Sequence, residues 1–215
     1  MEEHLRPKEL VGSSSLSRGT PTPGTVSLEI ERKYEVAPET DQPSLVGVAG
    51  ITREASPLTH TLDATYFDTS TGFFLSNKSA LRHRRGGPDA GWHLKAHTPE
   101  GVLETHWLDE AVMLAELGLT EQLVPLARIE TRRTTVALWG GPNDAVLAEF
   151  VDDDVTATDL RDGTQRRWRE WEIELSGDWS TQTANEFFAT LEPTLFGSGA
   201  HPSQLFAKLQ RALGL

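Results

Sequence analysis

The chain has 215 residues, 37% of them hydrophobic and 24% charged, which is enough apolar content for one domain to bury a continuous core without crosslinks. It contains no cysteine, so disulfide frameworks, thiolate metal sites and cysteine nucleophiles are excluded, and any metal must bind through oxygen or imidazole. The formal charge of −12 argues against broad nucleic-acid binding; no stretch reaches the roughly 20 apolar residues of a spanning helix, and the N-terminus lacks a signal-peptide core, so a cytoplasmic protein that engages neither nucleic acid nor membrane is expected.

Residues 1–25 carry Gly12-Ser13-Ser14-Ser15 and Thr20-Pro21-Thr22-Pro23-Gly24 and read as a flexible leader, which leaves 26–215 as a single domain. Strands are expected over 26–36, 60–68, 79–86, 91–97, 102–108, 127–139, 145–157 and 166–176, where β-branched, aromatic or alternating residues are bounded by Gly, Pro, Asp or Asn. Apolar spacing nearer 3.6 predicts helices over 109–122, 181–191 and 203–213, with a fourth over 43–50. About eight strands joined by short turns predict a mainly β (α+β) chain: an eight-stranded antiparallel β-barrel whose closure removes exposed edges, with helices packed outside and a C-terminal helix.

The charges alternate within these strands. In Leu28-Glu29-Ile30-Glu31-Arg32-Lys33-Tyr34, side chains two apart share a face, so Glu29, Glu31 and Lys33 stand opposite Leu28, Ile30, Arg32 and Tyr34. One such run is commonly a solvated edge. The pattern recurs, however, with Arg82 and Arg84 on one face, His93 and Lys95 on another, and Glu170, Glu172 and Glu174 opposite Trp171 and Ile173. Arg133 is preferred to Arg132 as the inward residue of its strand. Glu149 groups with Asp153, while Asp152 and Asp154 fall on the Phe150 face unless a bulge intervenes.

If the apolar faces pack outward against helices, the lumen is left with carboxylates and cations that need partners. Glu29, Glu31, Glu172 and Glu174 suit a hard cation such as Mg²⁺ or Mn²⁺. Lys33, Arg82, Arg84, Lys95 and Arg133 suit the oxygens of a triphosphate. Histidines 83, 93, 97 and 106 read as hydrogen-bonded or exposed rather than as ligands, and Trp92, Trp139, Trp168 and Trp171 as outward packing. Tyr66 and Asp68 read as fixing a strand and its turn.

At Glu29-Ile30-Glu31-Arg32-Lys33 the chain resembles the CYTH family of triphosphate tunnel metalloenzymes, whose signature is E-x-E-x-K on the first strand. The resemblance continues through Thr65-Tyr66-Phe67-Asp68-Thr69, Leu81-Arg82-His83-Arg84, Trp92-His93-Leu94-Lys95, Thr131-Arg132-Arg133, Ala148-Glu149 and Trp171-Glu172-Ile173-Glu174-Leu175, over about residues 26–214. It implies metal-dependent hydrolysis of a triphosphate, with inorganic triphosphate favoured and nucleoside or thiamine triphosphate, cyclisation of ATP, or polyphosphate binding without turnover as alternatives. It implies catalytic roles for Glu29, Glu31, Lys33 and Lys95, and phosphate contacts from Lys33, Arg82, Arg84, Lys95 and Arg133. Metal ligation would fall to Glu29, Glu31, Glu172 and Glu174, with Glu149 or Asp153 as a further acid. Lys208 follows Ala207 where the family has serine, and is a further phosphate contact. Fused family members imply a helical partner domain if the chain is a fragment.

Overall fold

The computed structural model describes residues 22–205 and 207–215, so most of the expected leader lies outside the described residues. The elements in order are β1 (Thr25–Glu29), β2 (Glu31–Val36), β3 (Ile51–Glu54), β4 (Leu58–Asp68), α1 (Phe73–Ser76), β5 (Ser79–Arg85), β6 (Gly91–Thr98), β7 (Gly101–Trp107), α2 (Glu110–Glu116), β8 (Val124–Gly140), β9 (Ala145–Asp159), β10 (Gln165–Leu175), α3 (Thr181–Gly197), β11 (His201–Pro202) and α4 (Lys208–Leu213). All eight expected strand segments are present. The excess over eight comes from β3, from the two-residue β11 and from the division of 26–36 into two strands.

Every pairing is antiparallel, and one sheet runs β1-β7-β6-β5-β4-β8-β9-β10-β2-β11, with β3 beside β8. The expectation of a closed barrel is corrected here, because the ladder ends at β1 on one side and at β2 with β11 on the other. Those two ends are consecutive in the chain. Up to Glu29, opposite Val102, the backbone pairs with β7; from Glu31, opposite Glu174, it pairs with β10. The Ile30 carbonyl between them accepts from the Leu175 amide at 2.9 Å. The side-chain alternation runs through Ile30 unbroken, so it carries no sign of this change of neighbour.

The outward faces bury most of the apolar mass. Ser180 caps α3 by accepting from the Thr183 amide, and the helix presents Ala184, Phe187, Phe188, Leu191 and Leu195 at three- and four-residue spacing to Tyr34, Phe150, Trp171 and Ile173 of the sheet. It extends past the expected Leu191 and through Pro193. A second layer sets Phe74 of α1 and Met113 of α2 over Leu81, Trp92 and Trp107. Asp68 holds the start of α1, accepting from the amides of Thr69, Phe74 and Leu75 at 2.7–3.0 Å, as its reading as a turn residue requires.

The third cluster lies on the other side of the sheet. Leu209, Ala212 and Leu213 of α4 pack on Ala64, Tyr66, Ala80, Ala127, Ile129, Val155, Ala157 and Trp168 and fill one end of the interior. Trp168, expected outward with Trp171, therefore turns inward, because it shares the face of Glu170. Three helix expectations also change. The 43–50 segment is a set of turns in which Gly47, Ala49 and Gly50 have φ of +86°, +50° and +79°, values no right-handed helix accepts. The second helix stops at Glu116, shortly before Gly118 at φ +63°, and the last begins only at Lys208. No helix among the described residues is long and apolar enough to cross a membrane.

Candidate active site

The inner faces of the strands converge on one ionic cluster. On its acidic side Glu172 of β10, 2% exposed, accepts through Oε1 from Lys33 Nζ at 2.8 Å and Lys208 Nζ at 2.5 Å, and through Oε2 from Arg133 at 3.2 Å. Asp153 of β9 is fully buried and takes Arg133 in a two-toothed grip at 2.8 and 2.7 Å, with Lys208 Nζ at 2.9 Å. Lys208 also lies 2.5 Å from Glu170. Arg133 is thus the inward residue of β8, as preferred from sequence, while Arg132 lines a shallow cavity with Asp152, Asp154 and Arg169 on the outer surface.

On the basic side Lys95 of β6 donates to Glu29 at 2.5 Å and lies 3.9 Å from Glu104 of β7. Arg82 of β5 reaches Tyr66 Oη at 3.3 Å and Glu104 at 3.4 Å. His93 Nδ1 faces Glu104 at 3.0 Å and its Nε2 faces the Asp89 carbonyl at 2.8 Å. Glu104, Tyr66 and His93 are thus members of the cluster that the sequence reading left out or gave other roles. Glu104 stands alone among apolar and uncharged neighbours, and only the ladder register, which sets it opposite Lys95, brings it to the site.

Two triads of carboxylates bring one oxygen each within 4.8 Å of one another: Glu31, Glu172 and Glu174, and Asp153, Glu170 and Glu172. The second already holds the ammonium of Lys208, which lies within 2.9 Å of all three of its members, although Glu170 Oε1 makes no hydrogen bond among the described residues. In the first, Glu31 Oε2 is buried without a hydrogen-bond partner among the described residues. A buried carboxylate oxygen left unpaired is costly, and an all-oxygen triad matches the donor preference of a hard divalent cation, so these residues fit a metal. Glu29 sits on Lys95 outside either triad, and Glu149 faces Glu174 across the ladder, also outside both.

The electrostatics follow from burial set against the cations. Burial raises Glu29 to about 7 against the pull of Lys95, and a hydrogen bond with Glu104 acts in the same direction as burial. Burial, together with the charge of Glu172, lifts Glu174 to about 7. For Glu31 burial is also the largest influence, but Lys95 and Lys33 together outweigh it and hold the carboxyl below its usual range. Burial, reinforced by the charges of Arg82 and Arg133, lowers Arg84 to about 9. Burial lowers His93 to about 4 despite its contact with Glu104.

The space left between Glu31, Lys33, Tyr66, Arg82, Lys95, Arg133, Glu172 and Lys208 is about 40 Å³, close to the volume of a single water. The lumen is therefore filled by its own ion pairs. An anion can enter it only by exchange, taking over the cations while something positive takes over the carboxylates. Beside this space lies a cavity of about 540 Å³ at the Ile30 junction, bordered by Glu29–Tyr34, the turn between β6 and β7, Phe188 of α3 and Pro202-Ser203.

A single antiparallel sheet wrapped around opposed carboxylates and cations, with one end filled by a C-terminal helix, defines a tunnel-type β protein. The family model of the CYTH domain matches residues 27–198, and the chain belongs to that family. Uncharacterized proteins from two strains of Mycobacterium tuberculosis are 37% identical over 209 residues, which cover 87% of this chain and 40% of theirs; the chain thus spans about 40% of the length of these curated relatives. Among solved structures, a Bacillus halodurans protein described as a candidate adenylate cyclase superposes with a TM-score of 0.55 at 20% identity, covering 86% of this chain and 97% of its own. A Hippeastrum protein, described as a candidate adenylyl cyclase with a dominant triphosphatase activity, gives 0.51 at 19%, covering 87% and 96%. A Pyrococcus horikoshii protein gives 0.54 at 13%, covering 86% and 99%. At these identities the structural likenesses bear on the fold alone.

Proposed function

We propose that the lumen binds a triphosphate together with a divalent cation and hydrolyses it to phosphate and diphosphate, with inorganic triphosphate as the substrate. The observation that carries this reading is the pairing of two unmet demands in one buried space. Glu31 Oε2 lacks a partner on the acidic side, and the Nε donor of Arg82 lacks one on the basic side. A polyphosphate and a cation meet both demands at once.

Glu31, Glu172 and Glu174 would hold Mg²⁺ or Mn²⁺, which when bound supplies charge neutralisation and activation of water. Arg82 and Arg133 offer forked donors to nonbridging oxygens, and Lys33 and Lys95 offer point charges. Tyr66 and Glu104 hold Arg82 in place. Phosphoryl transfer is chiefly positioning and electrostatic stabilisation, and a preset array of buried donors serves it without a covalent nucleophile. Lys208, engaged with Asp153, Glu170 and Glu172, is the counter-ion that the second acidic triad shares.

A second reading, hydrolysis of an organic triphosphate such as a nucleoside or thiamine ester, is favoured by the 540 Å³ cavity beside the lumen, which leaves room for an organic group next to the phosphate chain. The greater length of the mycobacterial relatives is in keeping with a further domain, which a helical partner would supply. A panel of inorganic triphosphate, ATP and thiamine triphosphate, with Mg²⁺ and with Mn²⁺, tests the assignment by measuring phosphate, diphosphate and cyclic nucleotide. Fastest release of phosphate from inorganic triphosphate is expected; cyclic AMP with diphosphate from ATP overturns the hydrolase reading.

A further inference from the structure

The two ends of the interior differ. Along β5 the inward residues run Ala80, Arg82, Arg84, so that Ala80 lies against the α4 cluster and Arg84 lies at the other end, where the strand passes into residues 86–90. That loop, Gly86-Gly87-Pro88-Asp89-Ala90, turns through φ of +78° and +74° at its two glycines, and a Cβ on Gly86 would stand 2.2 Å from the Thr61 carbonyl oxygen. It is fastened at three points. The Asp89 carboxylate receives the Arg84 guanidinium, the Asp89 carbonyl faces His93 Nε2 at 2.8 Å, and the Ala90 carbonyl faces His106 Nε2 at 3.2 Å.

The ion pair is lopsided. The Arg84 side chain is 5% exposed and that of Asp89 is 50% exposed, so a buried cation at the end of the arginine row is neutralised by a carboxylate that reaches in from the surface. The fork of a guanidinium accepts carboxylate and phosphate oxygens in the same geometry. We infer that Asp89 is a chain-length stop: its carboxylate occupies on Arg84 the place that a further phosphoryl group would take, so that the tunnel admits triphosphate and discriminates against longer polyphosphates. The inference rests on the proposed polyphosphate chemistry of the lumen. A longer anion that reaches Arg84 must displace Asp89 and then lie beside its negative charge, which is discrimination by an added repulsion rather than by a lost attraction.

The test compares inorganic triphosphate with tetraphosphate on the full chain, unaltered and with Asp89→Asn or Asp89→Glu. It reads kcat/KM with Mg²⁺ and, separately, binding to the metal-free protein by calorimetry. Asp89→Asn is expected to raise the preference for tetraphosphate over triphosphate about tenfold, in both readouts, while Asp89→Glu keeps the original ratio. An unchanged ratio in Asp89→Asn, or an equal shift in both variants, overturns the stop and leaves the hydrolase reading standing. Failure of the unaltered chain to bind or hydrolyse either anion overturns both.

Discussion

Strand β10 presents two opposite chemistries on its two faces. Outward, Trp171 and Ile173 are completely buried beneath α3; inward, Glu170, Glu172 and Glu174 meet Lys33, Arg133 and Lys208 from three other elements. The outer face gains free energy from every apolar atom removed from water, whereas the inner face carries ions whose desolvation offsets much of their mutual attraction. Stability therefore resides mainly on one side of the strand and chemistry on the other, and substitutions at neighbouring residues should separate the two.

The largest effect is expected outside. Trp171→Ala should cost about 3–5 kcal/mol of stability, read as a lowered midpoint in chemical denaturation; a loss no larger than that of an inner-face variant would blur the division. Next comes Arg82→Ala, which should lower kcat by about 10²–10³-fold in steady-state hydrolysis while shifting the denaturation midpoint less than the Trp171 variant does. Third, triphosphate with Mg²⁺ at a hundred times its dissociation constant should stabilise the chain by about 2.7 kcal/mol, and Glu31→Gln should remove most of that gain in a thermal melt. If magnesium still protects the Gln variant fully, the Glu31 triad is not the metal site.

The last effect concerns acid. The folded value of His93, about 4, lies below its ordinary 6.5, so the unfolded chain binds the proton more readily between these values. Its contribution is complete above pH 6.5 and is lost as the pH falls through that window. His93→Gln, which keeps a donor for Glu104, should flatten the slope of stability against pH between 6.5 and 4. A slope that persists unchanged assigns it to the carboxylates instead.

The alternation of charge was legible in the residues because a strand enforces a period of two, and it brought Glu31, Lys33, Arg82, Lys95, Arg133, Asp153, Glu172 and Glu174 to one side. Glu104 was not legible, since a single acid flanked by Leu103 and Thr105 looks like any half-exposed strand position. Tyr66 passed for a strand-fixing residue because its partner, Arg82, lies on the neighbouring strand. The junction at Ile30 was invisible for a different reason: side-chain direction carries the period, but choice of neighbour is a property of the backbone's edges. The helix errors had local causes, positive φ in the 43–50 segment and an early stop before Gly118.

The junction at Ile30 also bears on how the molecule comes into being. Lys33 meets Glu172 across 139 positions of chain, and β2 finds its main ladder in β10, with the two-residue β11 on its other side. Contacts so distant in sequence form late, because the loop between them must first be closed. A nascent chain that has not yet emerged beyond β10 holds Glu31 without Glu172 or Glu174, and so has no acidic triad to offer a cation. The acidic triad of Glu31, Glu172 and Glu174 thus assembles only when β2 meets β10.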